Sequence, residues 1–285
     1  MSAKLIDGRS IAEKIRNKLR SQLLLRSKHR KPAPKLAVIL VGEDPASEIY
    51  VRNKHQACED VGITTLDYFL PKTLSQKKLL TLVQKLNKDK SVNGILVQLP
   101  LPKHIEADVV LEQLDPRKDV DGFHSFNLGR LAQERPQLRP CTPYGVMLML
   151  EEIGQRFKGK EAVVVGASNI VGRPMALELL AAGCTVTICH RFTKDLAKQV
   201  GRADILVSAV GKPAFIKGKW IKKGATVVDV GIIRLPDGRL TGDLEFTEAR
   251  QKAKWITPVP GGVGPMTVAV LLKNTLLAQE LQGKR

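Results

Sequence analysis

A lysine sits where a helix should turn inward. The segment DPASEIYVRNKHQACEDVG, residues 44–62, opens on Asp44 and Pro45, a capping residue and a proline suited to a first turn, and closes on Gly62, suited to a helix C-terminus. At about 100° per residue, Ala46, Tyr50, Ala57 and Val61 fall on one face, with Glu48, Arg52, His55 and Glu59 opposite. Lys54 falls on the apolar side, between Val61 and Cys58. An ammonium drawn partly out of water can move protons in general acid–base chemistry. It can also simply snorkel to the surface along its own methylenes.

Two more polar residues are candidates for the same place. Gln98 ends the apolar run GILVQ just before Pro100 and Pro102, and KDVDGFH sets Asp119 and Asp121 in a loop. A lysine, a glutamine and an aspartate together would form a pocket able to orient a polar heterocycle and relay protons. Separately, Gln98 would satisfy a backbone group and Asp121 would cap a turn.

A different chemistry is suggested by VVVGASNIVGRPMALELL, which reads as strand, turn and helix. Gly166 and Gly172 bracket the turn and Pro174 lies at the helix start. Glycines there let a pyrophosphate approach the backbone, and the helix N-terminus offers free N–H groups. Ser168 occupies the second glycine position of a strict GxGxxG, so a tight strand–helix turn without a ligand is the alternative. The next strand, CTVTICH, runs into Arg191, with Lys194 nearby and no acid before Asp195. An NAD site usually carries a carboxylate there for the ribose hydroxyls. A guanidinium instead suits a ribose phosphate and hence NADP, unless Arg191 is only a solvated loop cation.

The elements that must hold these residues are legible as short Val- and Ile-rich runs: residues 34–42, 93–102, 160–168, 184–190, 203–210 and 225–232. Alternating with helical patterns, they indicate buried parallel strands in βαβ units. The fold class expected is α/β, with two open domains of mostly parallel sheet, since 285 residues exceed most single domains. RPQLRPCTPYG, residues 135–145, is the best junction. Ligands should collect at the carboxyl ends of the strands.

Composition narrows the function classes. Lys and Arg outnumber Asp and Glu by 46 to 28, a formal net charge of +18, and residues 14–35 hold nine cations and no acid. Interleaved with Ile15, Leu19 and Leu23, that segment reads as an amphipathic helix with a solvated basic face; an RNA or anionic-membrane contact is the alternative. Aromatics make up 4% of the chain and no nucleic-acid motif is visible, so stacking platforms are scarce. No specific nucleic-acid partner is expected. The longest apolar stretch, residues 36–42, is too short for a membrane span, and the N-terminus has no apolar run of signal-peptide length, which favours a cytoplasmic location. Cys58, Cys141, Cys184 and Cys189 have neither CxxC nor zinc-ligand spacing; no metal is expected, and they read as reduced, packed thiols.

The motifs VGEDPASEIYVRNKHQACEDVGI, GILVQLPLP, DPRKDVDGFH, PCTPYG, VVGASNIVGRP and ITPVPGGVGPMT, in this order from about Leu5 to Leu277, resemble the successive signatures of the bifunctional methylenetetrahydrofolate dehydrogenase/cyclohydrolase family. The resemblance implies a homodimer acting on tetrahydrofolate derivatives. Each chain would have a folate-binding domain over residues 1–138 and a Rossmann-like NADP domain over 139–285, facing across a cleft, with a last helix near 268–285 returning to the first domain. It implies a catalytic Lys54, a Tyr50 lining the folate, a Gln98 positioning the lysine and an Asp121 anchoring the pterin. Val97, Leu99 and the loop Pro260, Gly261, Gly262, Val263, Gly264 would contact substrate, and Gly166, Ala167, Ser168, Arg191 and Ile232 would contact NADP. The implied reactions are oxidation of 5,10-methylenetetrahydrofolate to the methenyl cation and its hydrolysis to 10-formyltetrahydrofolate. A dehydrogenase that stops at the methenyl stage, or a basic binding protein on a retired enzyme fold, are the alternatives. The family does not require a charge of +18.

Overall fold

The computed structural model describes residues 2–42 and 45–283, without the side chains of residues 45–50. In chain order, β1 (Lys4–Leu5), α1 (Gly8–Lys28), β2 (Lys35–Val41), α2 (Pro45–Val61), β3 (Thr64–Leu70), α3 (Gln76–Lys88), β4 (Gly94–Val97), α4 (Ala107–Glu112) and α5 (Ser125–Ala132) occupy the first half. There follow α6 (Cys141–Glu152), β5 (Glu161–Val165), α7 (Gly172–Ala181), β6 (Thr185–Cys189), α8 (Leu196–Gly201), β7 (Ile205–Ser208) and β8 (Thr226–Asp229). The chain ends with β9 (Ile233–Arg234), β10 (Leu240–Thr241), α9 (Phe246–Lys252), β11 (Trp255–Ile256) and α10 (Val263–Gln282). The α/β class and the mostly parallel sheets are as expected, and each of the six apolar runs contains a strand.

The chain divides into two compact units, one of residues 1–13 with 142–267 and the other of 14–141 with 268–285. The sequence placed the boundary at 138/139 and kept the first residues with the first domain. They group instead with 142–267, because β1 pairs in parallel with β11 and Ile6 N donates to Ile256 O at 2.9 Å. Residues 268–285 group with 14–141 through side-chain amides: the buried Asn274 Nδ2 donates to Val120 O (2.8 Å) and Arg139 O (2.9 Å), and the half-buried Gln282 Nε2 to Asn93 O (2.8 Å).

In the unit of 14–141, β3, β2 and β4 form a parallel sheet in that order. Strand β2, KLAVILV, is covered on both faces, hence its unbroken apolar run; its Ala37, Ile39 and Val41 pack with Leu79, Val83 and Leu86 of α3. Strand β3, TTLDYFL, is an edge, and its Asp67 and threonines hid it from a search for apolar runs. Helix α2 stops where Gly62 adopts φ +89 and its N–H reaches back to Cys58 O at 3.0 Å, a conformation that favours glycine. The cap expected at Asp44 lies outside the described residues.

The other unit has a six-stranded parallel sheet, ordered β1-β11-β8-β7-β5-β6. Val163, Val165, Leu206, Val227 and Ile256 fill its core. The order reverses at β5, with β6 on one side and β7 on the other, so the loop after β5 lies at the topological switch point. Among the described residues no helix is long and apolar enough to cross a membrane.

Candidate active site

Strand order also explains the site in the three-stranded unit. Strand β2 is central, β3 and β4 flank it, and α2 departs from the carboxyl end of β2. Helix α2 buries Val51, Ala57, Cys58 and Val61, and Lys54 with them at 7% exposure. Snorkelling is therefore not what its side chain does. Lys54 Nζ donates to Gln98 Oε1 at 3.1 Å. Gln98 is itself held from two sides: its N–H donates to Ile39 O (2.9 Å), continuing the ladder one residue past β4, and its Nε2 donates to Leu99 O (2.7 Å). With the amide nitrogen spent on Leu99, the amide oxygen faces the lysine. Val97 belongs to the buried core beside Ile39, and Leu99 packs at its margin. The Tyr50 side chain lies outside the described residues.

Asp121 follows a segment that runs along β4. Ile95 N donates to Lys118 O at 2.7 Å and Ile95 pairs with Asp119. Gly94 permits this approach, since a Cβ there would stand 2.6 Å from Val120 Cγ1. Asp119 is fully buried and organises the turn: Oδ1 accepts from Gly122 N (3.1 Å), and Oδ2 from His124 N and Asn127 Nδ2 (2.9 Å each). Gly122, at φ +76, lies against the Arg139–Pro140 backbone, and Cys141 N donates to Asp121 O at 3.2 Å. Burial raises the Asp121 carboxyl above the usual carboxylate range, while the Lys54 ammonium pulls it back down. Burial first, and then Asp121, likewise drive the Cys141 thiol well up, so this cysteine is an inert wall. Burial pushes Cys58 up to about 12.

The structure thus brings Lys54 onto Gln98 and puts Asp121 within electrostatic reach of Lys54. Sequence reading gave no role to Asn127 or Asn274, read Cys141 as a packed thiol, and set Asp119 in the loop without a task of its own. For Asn274 a signal existed, an amide inside the apolar helix VGPMTVAVLLKNTLLAQ. For Asn127 in SFNLGRLA there was none.

In the six-stranded unit, Gly166 follows β5 at φ +124, and a Cβ there would collide with Ala209 O; a Cβ on Gly172 would collide with Gly166 O. Both glycines are thus demanded by the turn itself. Ser168 Oγ accepts from Val171 N (3.2 Å) and Gly172 N (3.4 Å), so it caps the turn and leaves α7 to begin at Gly172 rather than at Pro174. Arg191 is exposed after β6, its guanidinium 4.6 Å over the ring of Phe192, which is itself 73% exposed. A compact glycine turn at the switch point, a helix N-terminus and an exposed cation after the next strand form a set that fits a dinucleotide with a ribose phosphate. Ile232 is partly exposed beyond β8 and stands next to Gly264, whose Cβ would be 3.2 Å from Ile232 Cδ1.

The glycines at 261 and 262 serve the backbone. Gly261, at φ +101, accepts from Arg9 N at 3.0 Å, and Gly262 O lies so close to Gly8 that a Cβ there would collide with it. Val263 and Gly264 form the first turn of α10.

Residues 6–121 match the model of the tetrahydrofolate dehydrogenase/cyclohydrolase catalytic domain, and residues 140–283 that of the tetrahydrofolate dehydrogenase/cyclohydrolase NAD(P)-binding domain. Among solved structures, the chain is similar to the bifunctional enzyme FolD, methylenetetrahydrofolate dehydrogenase/cyclohydrolase, from Campylobacter jejuni. Identity is 48%, coverage 98% of this chain and 99% of that one, and the TM-score 0.95. It is also similar to the Trypanosoma brucei methylenetetrahydrofolate dehydrogenase-cyclohydrolase complexed with NADP cofactor and inhibitor, at 40% identity over 100% of both chains with a TM-score of 0.96. A 5,10-methylenetetrahydrofolate dehydrogenase from the silkworm Bombyx mori shares 40% identity over 99% and 100% of the chains, with a TM-score of 0.94. Two successive domain models and similarity along the whole chain place this protein in the tetrahydrofolate dehydrogenase/cyclohydrolase family.

Proposed function

We propose that the protein oxidises 5,10-methylenetetrahydrofolate with NADP and hydrolyses the methenyl product to 10-formyltetrahydrofolate, with Lys54 as its proton-relaying residue. The observation that carries this reading is the buried Lys54 ammonium aimed at Gln98 at the switch point of its sheet. A retired scaffold would have no use for a buried cation whose removal from water is costly.

Gln98 fixes the lysine, Asp121 accepts N–H donors of the pterin ring, and Tyr50 lines the folate. NADP, held by the glycine turn and Arg191, would supply the hydride acceptor for the methylene bridge. For that step the residues need only orient the bridge carbon at near-attack distance, about 3–3.5 Å. Hydrolysis asks more of them. As water bonds to the methenyl carbon it sheds one proton to solvent, which carries off the cation's charge; as the bond from that carbon to the ring nitrogen breaks, the Lys54 ammonium gives its proton to the nitrogen, and the amine so formed takes the remaining proton of the added oxygen. The formyl group then remains on the other nitrogen, and water supplies its oxygen and restores the Lys54 proton.

The Gly166, Ala167, Ser168 turn receives the pyrophosphate, Arg191 the ribose phosphate, and Ile232 the nicotinamide end. Leu99 and the backbone of Val97 border the folate. The folate domain comprises residues 14–141 with the last helix, and the cofactor domain the remainder. The chain pairs with a second copy through β3, a seven-residue edge strand carrying Phe69 at 66% exposure. It works in a reducing, cytoplasmic compartment, which suits four free, buried cysteines.

Two assays on the purified protein test this function: NADPH formation from 5,10-methylenetetrahydrofolate, and cofactor-free loss of the methenyl absorbance. Oxidation with accumulating methenyl product would instead identify a dehydrogenase lacking the second activity.

A further inference from the structure

Ser208 ends β7 and Asp229 ends β8, and the two are paired in register at the carboxyl edge of the six-stranded sheet. Both are buried, as is Asp243 after β10. Asp229 Oδ1 accepts from Gly231 N and Asp243 N, both at 3.0 Å, and its Oδ2 from Leu244 N at 3.1 Å. Asp243 Oδ2 in turn accepts from Ser208 Oγ (2.9 Å) and Val210 N (2.7 Å), and its Oδ1 from Lys212 N (2.9 Å). The order of control follows: Asp229 fixes the backbone of 243–244, which aims the Asp243 carboxylate, which fixes the loop of 208–212.

That loop abuts the glycine turn after β5, because Ala209 O fills the space a Cβ on Gly166 would need and Ala209 N donates to Val165 O at 2.8 Å. On its other side, Val230 N donates to Ser208 O at 2.8 Å, two residues before Ile232. Glycine at 231 and 242 leaves room for the carboxylates; a Cβ at 231 would stand 2.5 Å from Asp243 Oδ1, and one at 242 would collide with Asp229. Two desolvated carboxylates held by backbone N–H groups are a costly way merely to fill a core. They occur at the strand edge where a dinucleotide is received.

We infer that Asp243 and Asp229 are positioning residues for the cofactor, holding the loops of 209–212 and 230–232 in the conformation that receives NADP. Neither touches the folate chemistry, so their loss separates the two activities.

Resting on the cofactor site proposed above, the experiment compares Asp243→Asn, Ser208→Ala and Arg191→Ser by three readouts: NADPH binding by fluorescence titration, KM and kcat for NADP-dependent oxidation, and cofactor-free methenyl hydrolysis. The amide of Asp243→Asn turns an NH2 against one of the loop N–H groups. It should weaken NADPH and raise the KM for NADP roughly tenfold, with oxidation kcat within about threefold and methenyl hydrolysis within about twofold. Ser208→Ala, which removes a single donor, should weaken NADPH about threefold. A folded Asp243→Asn with unchanged NADPH affinity, or one in which both activities fall together, would overturn the assignment. If Asp243→Asn does not fold, unchanged NADPH binding in Ser208→Ala overturns it. Loss of NADPH binding in Arg191→Ser but not in the other two sinks this inference alone; no loss in any of the three sinks the cofactor site as well.

Discussion

The two units bury charge in opposite ways. In the three-stranded unit the buried charge at the proposed site is a cation, Lys54, on a helix, and among the described residues the acceptor it meets is the single oxygen of Gln98, whereas Lys118, also buried in this unit, gives two donors to Leu86 O (2.9 Å) and Asp89 O (2.7 Å). At the carboxyl edge of the six-stranded sheet the buried groups are the carboxyls of Asp229 and Asp243, which together accept six hydrogen bonds, five from backbone N–H groups and one from Ser208. An ammonium has three N–H donors, so Lys54 keeps hydrogen-bonding capacity for a substrate; the Asp243 and Asp229 oxygens spend theirs on the chain. Capacity left over marks a group for chemistry, and capacity used up marks a group that shapes the backbone. Asp119 lies in the same unit as Lys54 but belongs to the second kind, with its oxygens on Gly122, His124 and Asn127.

The largest effect expected from this contrast is at Lys54. Lys54→Gln keeps polarity and length and removes a buried charge, so the fold should persist. Methenyl hydrolysis should fall by roughly 10²-fold to 10⁴-fold, and oxidation, which depends on orientation, should fall less. Parallel assays of the two half-reactions and a melting curve check this; unchanged hydrolysis in the folded variant would remove Lys54 from the chemistry.

Asp119 should behave in the reverse manner. Asp119→Ala strands the N–H of His124 and leaves Gly122 N–H with only the Asp119 backbone oxygen and the Asn127 amide with only Pro116 O, at a cost of about 2 kcal/mol in unfolding free energy measured by urea titration. A loss below about 0.5 kcal/mol would mean that the turn stands without it.

Arg191→Ser should weaken NADP about tenfold to a hundredfold, the worth of roughly 1.5 to 3 kcal/mol for a hydrogen bond to a charged group, and leave NAD nearly unchanged. Equal losses for both cofactors would place Arg191 away from the ribose phosphate.

The smallest effect concerns pH. Burial, with the neighbouring Asp243 carboxylate adding to it, pushes Asp229 up to about 7 despite its backbone hydrogen bonds. Between the ordinary carboxylate range near pH 4 and about 7, the folded chain holds a proton that the unfolded chain releases. Stability from this group therefore falls as pH rises through that window. Asp229→Asn, whatever its absolute stability, should show a shallower decline of Tm between pH 5 and about pH 7.5 than the parent. An unchanged slope would mean that Asp229 is ionised throughout.

Much of the proposed active site was legible because it rests on local pattern. Lys54 stands out against the helical period of its segment, Gln98 against the end of an apolar run, and the Gly166 turn against the strand and helix around it. Strand β3 was not legible, since an edge strand with Asp67 and two threonines lacks the continuous apolar run of a buried strand. Nor were the partners of Asp119 and Asp243, which are mostly backbone groups whose identity leaves no trace in residue type. Asn274 shows the same limit at long range: its amide meets carbonyls 154 and 135 residues away.

The sequence by itself determined the α/β class, six of the eleven strands among the described residues, the mostly parallel character of the sheets and the residue types offered for proton transfer and dinucleotide binding. These follow from hydrophobic period and side-chain chemistry, which are properties of neighbours along the chain. Tertiary structure alone decided that the first residues join the unit of 142–267 through β1 and β11, that Lys54 is aimed at Gln98 instead of snorkelling, and that Asp229 and Asp243 tie the loops after β7 and β8 together. Each of these depends on which groups, distant along the chain, arrive beside one another. Strand order and register set that, and the cost of leaving a buried polar group unpaired enforces it.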